Sequence, residues 1–237
     1  MEISPPMKQM GYDRAIVVFS PEGRIYQVEY AQKNVEKVST VLGIVFANGV
    51  VLAAGKQIQR LLVPESAEKI SEIDKHIAIG SCGILADARN LVDFARIKSQ
   101  VNKVTFNEPI ETYALSKDIA DRIQRFTQIG GIRPYGIGML IAGMDGEPRL
   151  FETDPSGSLR EWKAHAIGRG AKEARELIIE EYKDAMTKEK ALDLAIRALK
   201  AGEKKLTSRT VELAIVMDMQ VKKYTRPEVK EMIKKYM

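Results

Sequence analysis

The chain has 237 residues, 45% of them hydrophobic and 29% charged, with a formal net charge of +5. That length suits one large domain or two small ones, and the composition is that of an ordinary buried core, which excludes a fibrous or disordered chain. No apolar run approaches the roughly 18 residues that would cross a bilayer, Met1–Met10 lacks the apolar stretch of a secretory signal, and the single cysteine, Cys82, excludes an intrachain disulfide and fits a reducing compartment.

Ile25, Val28, Ala31, Val35 and Val38 recur at intervals of three and four, which predicts an amphipathic helix over about 25–38. Two apolar runs follow, Thr40–Ala47 and Val50–Ala54. The Asn48-Gly49 pair between them predicts a hairpin closed by a type I′ turn, because both residues tolerate positive φ. His76–Leu85, rich in small and β-branched residues, reads as a third strand. Two helices are predicted next. The first, about 87–101, aligns Leu91, Phe94, Ala95 and Lys98 with Val101; the second, about 111–127, aligns Tyr113, Ile119, Ile123 and Phe126. Strands return at Gly136–Met144 and Arg149–Thr153, with turns at Asp145-Gly146 and at Asp154-Pro155-Ser156-Gly157, and Ser158–Ile167 completes the block. Helices at about 171–186 and 188–201 are separated by Thr187, read as a cap. Val211–Asp218 is the last predicted strand, and Arg226–Met237 a terminal helix with Pro227 in its first turn, where a missing N–H costs nothing.

Strand blocks separated by helix pairs do not build parallel βαβ units. They suit two antiparallel sheets stacked face to face and covered by helices, so the predicted class is α+β, a four-layer α-β-β-α sandwich with an N-terminal helical extension. Residues 1–38 are the extension and residues 39–237 the sandwich, within one domain overall. The net charge invites a nucleic-acid reading. However, the basic residues are interleaved with 32 acids, no recognised nucleic-acid motif is present, and the densest basic stretch, Lys222–Lys235, reads as the solvated face of the terminal helix. His76 and His165 have no further soft ligands near them in sequence and read as packed or exposed side chains, not metal ligands.

Tyr12-Asp13-Arg14-Ala15, Phe19-Ser20-Pro21-Glu22-Gly23-Arg24, Gln27-Val28-Glu29-Tyr30-Ala31, Glu68-Lys69-Ile70, Ala86-Asp87-Ala88-Arg89, Gly130-Gly131-Ile132-Arg133-Pro134-Tyr135-Gly136 and Asp154-Pro155-Ser156-Gly157 span nearly the whole chain. Together they resemble, in order, the α-type subunit of the 20S proteasome in its archaeal form. The resemblance implies the N-terminal-nucleophile hydrolase fold. It also implies a non-catalytic structural and gating role in the outer heptameric ring of a cytoplasmic protein-degrading core, with no cofactor and no metal. Implied partners are other α subunits, alike or different, a ring of β subunits, an AAA ATPase activator docking through its C-terminal tails, and unfolded proteins in transit; nucleic acid and membrane are not among them.

The same resemblance assigns residues. Tyr12, Asp13, Arg14, Pro21 and Tyr30 match the cluster that holds N-terminal tails in an open-gate turn, for which Pro21 fixes φ and Asp13 accepts from the phenols. Lys69, with Gly23, Arg24, Ile25, Glu29 and Val38, matches the pocket between adjacent α subunits that takes an activator's C-terminal carboxylate. Ile129, Gly130, Gly131 and Ile132 match the loop that narrows the axial channel. An ordinary buried turn, a surface ion pair of Lys69 with Glu68 or Asp74, and a plain connecting loop are the respective alternatives.

The catalytic relatives of this family begin, after processing, at a threonine whose terminal amine is the general base. Here the matching position is Ser39, preceded by 38 residues, so its nitrogen is an amide. Gly55 stands where those relatives carry an acid, and Val38 where a glycine precedes the cut; Lys69 alone matches their lysine. Val38, Gly55 and Ser81-Cys82-Gly83 are also departures from the usual α pattern. Two rival readings follow: an active N-terminal-nucleophile peptidase starting at Ser39, and a basic nucleic-acid-binding domain.

Overall fold

A computed structural model describes residues 17–203 and 205–236. Helix α1 (Tyr26–Val35) leads into the hairpin of β1 (Val41–Phe46) and β2 (Gly49–Gly55); a 3-10 turn at Pro64–Ala67 precedes a second hairpin, β3 (Ile70–Asp74) and β4 (Ile77–Gly83). Helices α2 (Leu85–Phe106) and α3 (Thr112–Gln128) follow, then β5 (Ile137–Met144), β6 (Pro148–Thr153), β7 (Leu159–Glu161) and β8 (Ala164–Ile167). The chain ends with α4 (Ala171–Glu181), α5 (Lys188–Gly202), β9 (Val211–Met217), β10 (Gln220–Lys223) and α6 (Arg226–Tyr236).

The strands form two antiparallel five-stranded sheets, ordered β10-β9-β2-β1-β8 and β3-β4-β5-β6-β7. Three apolar layers hold them. Val41, Val50, Leu52, Ala78, Leu140, Ala142 and Leu150 fill the space between the sheets. Ala174, Ile178, Leu192, Ala195 and Leu199 of α4 and α5 pack on Leu42, Ile44, Val51 and Ala53 behind the first sheet. Leu91, Ala95, Leu115, Ile119 and Ile123 of α2 and α3 cover Ile79, Ile137, Met139 and Ile141 behind the second. β1 and β2 bury both faces, which is why they read as continuous apolar runs without alternation. The expected α-β-β-α sandwich is the observed fold.

Several local expectations are corrected. The first hairpin exists, but Phe46 pairs with Gly49, so Ala47 and Asn48 form the two-residue loop and none of Ala47, Asn48 and Gly49 has positive φ. Gly49 serves close approach instead: a Cβ there would lie 2.3 Å from the Val216 carbonyl oxygen. The positive-φ pair sits at Asp218 (φ 51) and Met219 (φ 57), which turn β9 into β10. That geometry fits a type I′ turn carried by residues that do not advertise one. β10 therefore takes Lys222 and Lys223 away from the predicted terminal-helix face, and they pair with Glu228 at 3.0 Å and Glu68 at 3.1 Å. A polar, Lys-bearing edge strand protects a sheet from further pairing and for the same reason is faint in sequence.

Ser158–Ile167, read as one block, crosses between the sheets. Trp162 N donates to Leu150 O (2.9 Å) in one sheet, while the next residue, Lys163, accepts through its carbonyl from Val45 N (2.8 Å) in the other. Helix α1 stops at Val35, whose side chain is 2% exposed and joins the intersheet core. Helix α2 runs past its predicted end to an Asn107 cap in the left-handed region (φ 58). Helix α4 stops at Glu181, five residues before its predicted end. The Thr187 cap forms as expected, its hydroxyl accepting from Lys190 N. Both histidines are packed: His76 Nε2 lies 2.8 Å from Ile110 O, and His165 stacks on Trp162 with its Nε2 3.5 Å from Glu152.

Candidate functional site at the head of strand β1

The residues that open β1 lie where α1, β2, β3, β4 and the loops before α4 and after α5 converge. Ser39 and Thr40 are 3% and 0% exposed. Ser39 Oγ donates to Gly55 O at 2.6 Å. Lys69, immediately before β3 and 5% exposed, donates from Nζ to the Ser39 carbonyl and, at 3.2 Å, to Ser39 Oγ. Burial pushes the Lys69 pKa below its usual value, against the opposing pull of Cys82, Glu203 and Glu212. Cys82 Sγ lies 3.5 Å from both Val35 O and Ser39 O, and burial pushes its thiol up.

The carbonyl of Val38 accepts from Arg169 N at 2.8 Å. Arg169 lies between Gly168 (φ +103) and Gly170, and neither glycine has room for a side chain. A Cβ at Gly168 would meet Val38 O at 2.9 Å; one at Gly170 would meet Gly202 O at 2.1 Å. A loop of glycines is thus pressed against the β1 head from one side, and the end of α5 against that loop. Glu203 closes the set. Its Oε1 accepts from Thr40 N (2.7 Å) and Thr40 Oγ1 (3.0 Å), and its Oε2 from Arg169 Nη2 (2.6 Å).

The chemistry of this constellation follows from its covalent frame. Ser39 N is a peptide nitrogen, following Val38 in the chain, and has no lone pair available for proton abstraction. A serine hydroxyl beside a lysine with a lowered pKa has the elements of a nucleophile and base, but Ser39 and Lys69 are both buried, and the hydroxyl proton is held on Gly55 O.

The other predicted site residues are spread over the molecule. Val38 and Lys69 meet at this head, whereas Gly23, Arg24 and Glu29 cluster at the opposite end of α1, about 15 Å away along a ten-residue helix. There Ser20 N donates to Arg24 O (2.9 Å), Gly23 N to Ser20 O (2.8 Å), Gly23 takes φ +75, and Arg24 pairs with Glu29 through Nε at 2.7 Å and through Nη2. Ile25 is the residue capping α1. Of the expected gate cluster, Pro21 and Tyr30 are exposed, with Lys33 Nζ 5.7 Å from the Tyr30 ring; Tyr12, Asp13 and Arg14 lie outside the described residues.

Ile129, Gly130, Gly131 and Ile132 form an exposed loop after α3, with nothing within 4 Å of a Cβ placed at either glycine. Its stem is clamped. Arg133 donates twice to Asp87 (2.7 Å each), and Gly136 N donates to the same carboxylate at 2.9 Å. Burial alone would raise the Asp87 pKa; the Arg133 and Gly136 hydrogen bonds outweigh it and hold the carboxyl below its usual range. Glu203 and Arg169 carry no signal in sequence, whereas Asp87 and Arg133 fall within two of the resembling segments without their pairing being legible. Thr40 and Glu203 are 163 residues apart, and no local pattern links them.

A four-layer sandwich of two antiparallel sheets between helix pairs is the N-terminal-nucleophile class of fold, and at the head of its first strand Lys69 binds Ser39 and Glu203 binds Thr40. Comparison with known proteins is consistent with that class. A family model described as "Proteasome subunit" matches residues 35–216, and a second, describing the N-terminal signature of the A-type proteasome subunits, matches residues 12–33. The chain is 49% identical over 239 residues to a protein of Methanosarcina barkeri named as the alpha subunit of the proteasome, covering 100% of this chain and 94% of that one. It is 51% identical over 229 residues to the protein of the same name from Methanoregula boonei (94% and 95% covered) and 47% identical over 232 residues to the one from Thermococcus sibiricus (97% and 88% covered). The chain belongs to the proteasome subunit family and is of its α type.

Proposed function

We propose that this chain is a non-catalytic, gate-forming component of the outer ring of a cytoplasmic protein-degrading particle. The observation that carries the reading is the β1 head: an internal, buried Ser39 tied to Lys69 and Gly55, where a peptidase would need a free amine and an open cleft. Seven copies, alike or mixed with other α subunits, surround an axis and stack on a ring of catalytic β subunits. Apolar side chains left exposed on α2, namely Ile97, Val101, Val104 and Phe106, offer surface that such stacking would cover. Unfolded chains enter past the 129–132 loop, where Ile129 and Ile132 are each 38% exposed beside two open glycines.

An ATPase activator docks between neighbouring subunits. The Gly23–Arg24–Glu29 end of α1 in one copy and the Val38–Lys69 end of the next form the pocket, which accounts for their separation within one chain. Because Lys69 is buried behind Ser39, an incoming C-terminal carboxylate must share or replace the Ser39 contact. Val38, by its bulk, narrows the approach.

Gating is tested in particles assembled with active β subunits. Deleting residues 2–11 raises basal peptide hydrolysis and makes it insensitive to activator, whereas Lys69→Ala leaves basal hydrolysis low and nearly abolishes stimulation. An intact particle with unchanged basal rate after the deletion overturns the gate; unchanged stimulation in Lys69→Ala overturns the docking site. The nucleic-acid reading loses its main support, since Lys222, Lys223 and Arg226 of the basic stretch pair with Glu228, Glu68 and Glu65.

A further inference from the structure

Gly55 ends β2 with no side chain, yet the space beside it is full. A Cβ at this position would lie 3.2 Å from Glu203 Cγ, 3.5 Å from its Cδ and 3.7 Å from its Oε1. The volume that a side chain at position 55 would use is occupied by a carboxylate delivered from the far end of the chain, just after α5. Glu203 is 8% exposed. A buried carboxylate is costly unless its lone pairs are met, and here three hydrogen bonds reach it from two segments. Oε1 takes the N–H and hydroxyl of Thr40, Oε2 takes Arg169, and the Thr40 hydroxyl in turn accepts from Gly170 N at 3.0 Å.

This arrangement acts on Lys69 through one peptide unit. Lys69 Nζ binds Ser39, and Glu203 binds the next residue, Thr40, so the carboxylate fixes the stretch of backbone from which the ammonium hangs. The charged or titratable groups that face Lys69 are Cys82, Glu203, Glu212 and Arg169. Glu212 is balanced locally: one oxygen takes the ammonium of Lys56, whose side chain is 7% exposed, at 2.5 Å, and the other takes the N–H groups of Lys69 and Ile70 at 2.9 Å each. Glu203 is balanced from outside by Arg169, whose side chain is 47% exposed and therefore partly screened by water. Its negative charge is the less compensated of the two.

We infer that Glu203 is a positioning residue for the Lys69 site: it takes the side-chain space vacant at Gly55, fixes the Ser39–Thr40 backbone that Lys69 grips, and supplies counter-charge to the buried ammonium. Positions 55 and 203 then form one unit in which only a single acid fits. The role at Lys69 deepens the docking reading and rests on it only where peptide binding is concerned; the packing and titration consequences do not.

The test uses the full chain assembled into particles, with variants Glu203→Ala, Glu203→Gln, Gly55→Asp and the double Gly55→Asp/Glu203→Ala. Glu203→Ala and Gly55→Asp each lower the thermal midpoint and weaken binding of a synthetic heptapeptide with a free C-terminal carboxylate by roughly 10-fold, measured against its amidated twin. The double variant recovers most of both losses, because the acid is restored from the other side of the same space. Glu203→Gln keeps the shape and removes the charge, so the titration of Lys69, followed by NMR of labelled lysine and assigned with Lys69→Met, moves down by about one pH unit. Additive losses in the double variant, or an unmoved Lys69 titration in Glu203→Gln, overturn the inference. Recovery and titration as expected, with peptide binding indifferent to Lys69→Ala, sustain the positioning role and remove the docking reading.

Discussion

Glycine does opposite work in two parts of this molecule. At the β1 head, Gly168, Gly170 and Gly202 lie in close backbone contact, and any added Cβ would sit 2.1–2.9 Å from its nearest neighbour. On the 129–132 loop, a Cβ at Gly130 or Gly131 would meet nothing within 4 Å. The first region uses the missing side chain to bring three chain segments into hydrogen-bonding range, which closes the β1 head. The second uses it to keep a stretch of chain open above a clamped stem. The residue type alone does not distinguish closure from openness; the surroundings do.

Substitutions at these glycines and their supports break or sharpen that contrast. The largest effect is expected at the head. Gly170→Ala drives a methyl group into the Gly202 backbone, which cannot move without shifting the end of α5. A loss of about 3 kcal/mol or more in denaturant unfolding is expected; a loss near zero would mean that the joint is soft. Next comes the clamp below the loop. Asp87→Ala leaves the buried Gly136 N–H without its acceptor, while the half-exposed Arg133 turns to water, and costs about 1–3 kcal/mol by the same measurement.

The clamp also has a pH signature. Since the folded Asp87 pKa is lowered, its contribution to stability is complete above the ordinary value of 3.8 and is lost as pH falls through that value toward the folded one. Asp87→Asn flattens that part of the stability–pH curve, and a curve of unchanged shape would show that the ion pair contributes nothing. The smallest effects belong to the loop itself. Gly131, at φ +82, loses about 1 kcal/mol on change to Ala, and Gly130 less than about 0.5 kcal/mol. Losses there as large as at Gly170 would erase the distinction.

Much of this architecture was legible in the sequence because it is carried by period and run length. β1 and β2 are buried on both faces and therefore uninterrupted, and of the stripe expected on α3 Ile119 and Ile123 are buried and Phe126 packs beside them, whereas Tyr113 is 46% exposed and Leu115 takes its place in the core. What escaped notice has physical reasons. β10 is short and basic, the turn before it uses Asp218 and Met219 without a glycine, and β7 and β8 are separated only by Trp162 and Lys163 although they belong to different sheets. At the site, Lys69 beside Ser39 followed from motif positions, whereas the acid that completes the group lies at the other end of the chain from Thr40 and has no periodicity to reveal it. Gly55 looked like a gap in the site. In three dimensions the gap is filled.

The central claim is that the β1 head is a closed joint inside an uncut chain. The most direct measurement is the intact mass of this chain recovered from particles assembled with active β subunits and exposed to a hydroxyl-reactive peptide electrophile. The expected result is a chain that retains the residues before Ser39 and carries no adduct, while the β subunits are labelled. A chain beginning at Ser39, or an adduct mapped to the Ser39 hydroxyl, would contradict it.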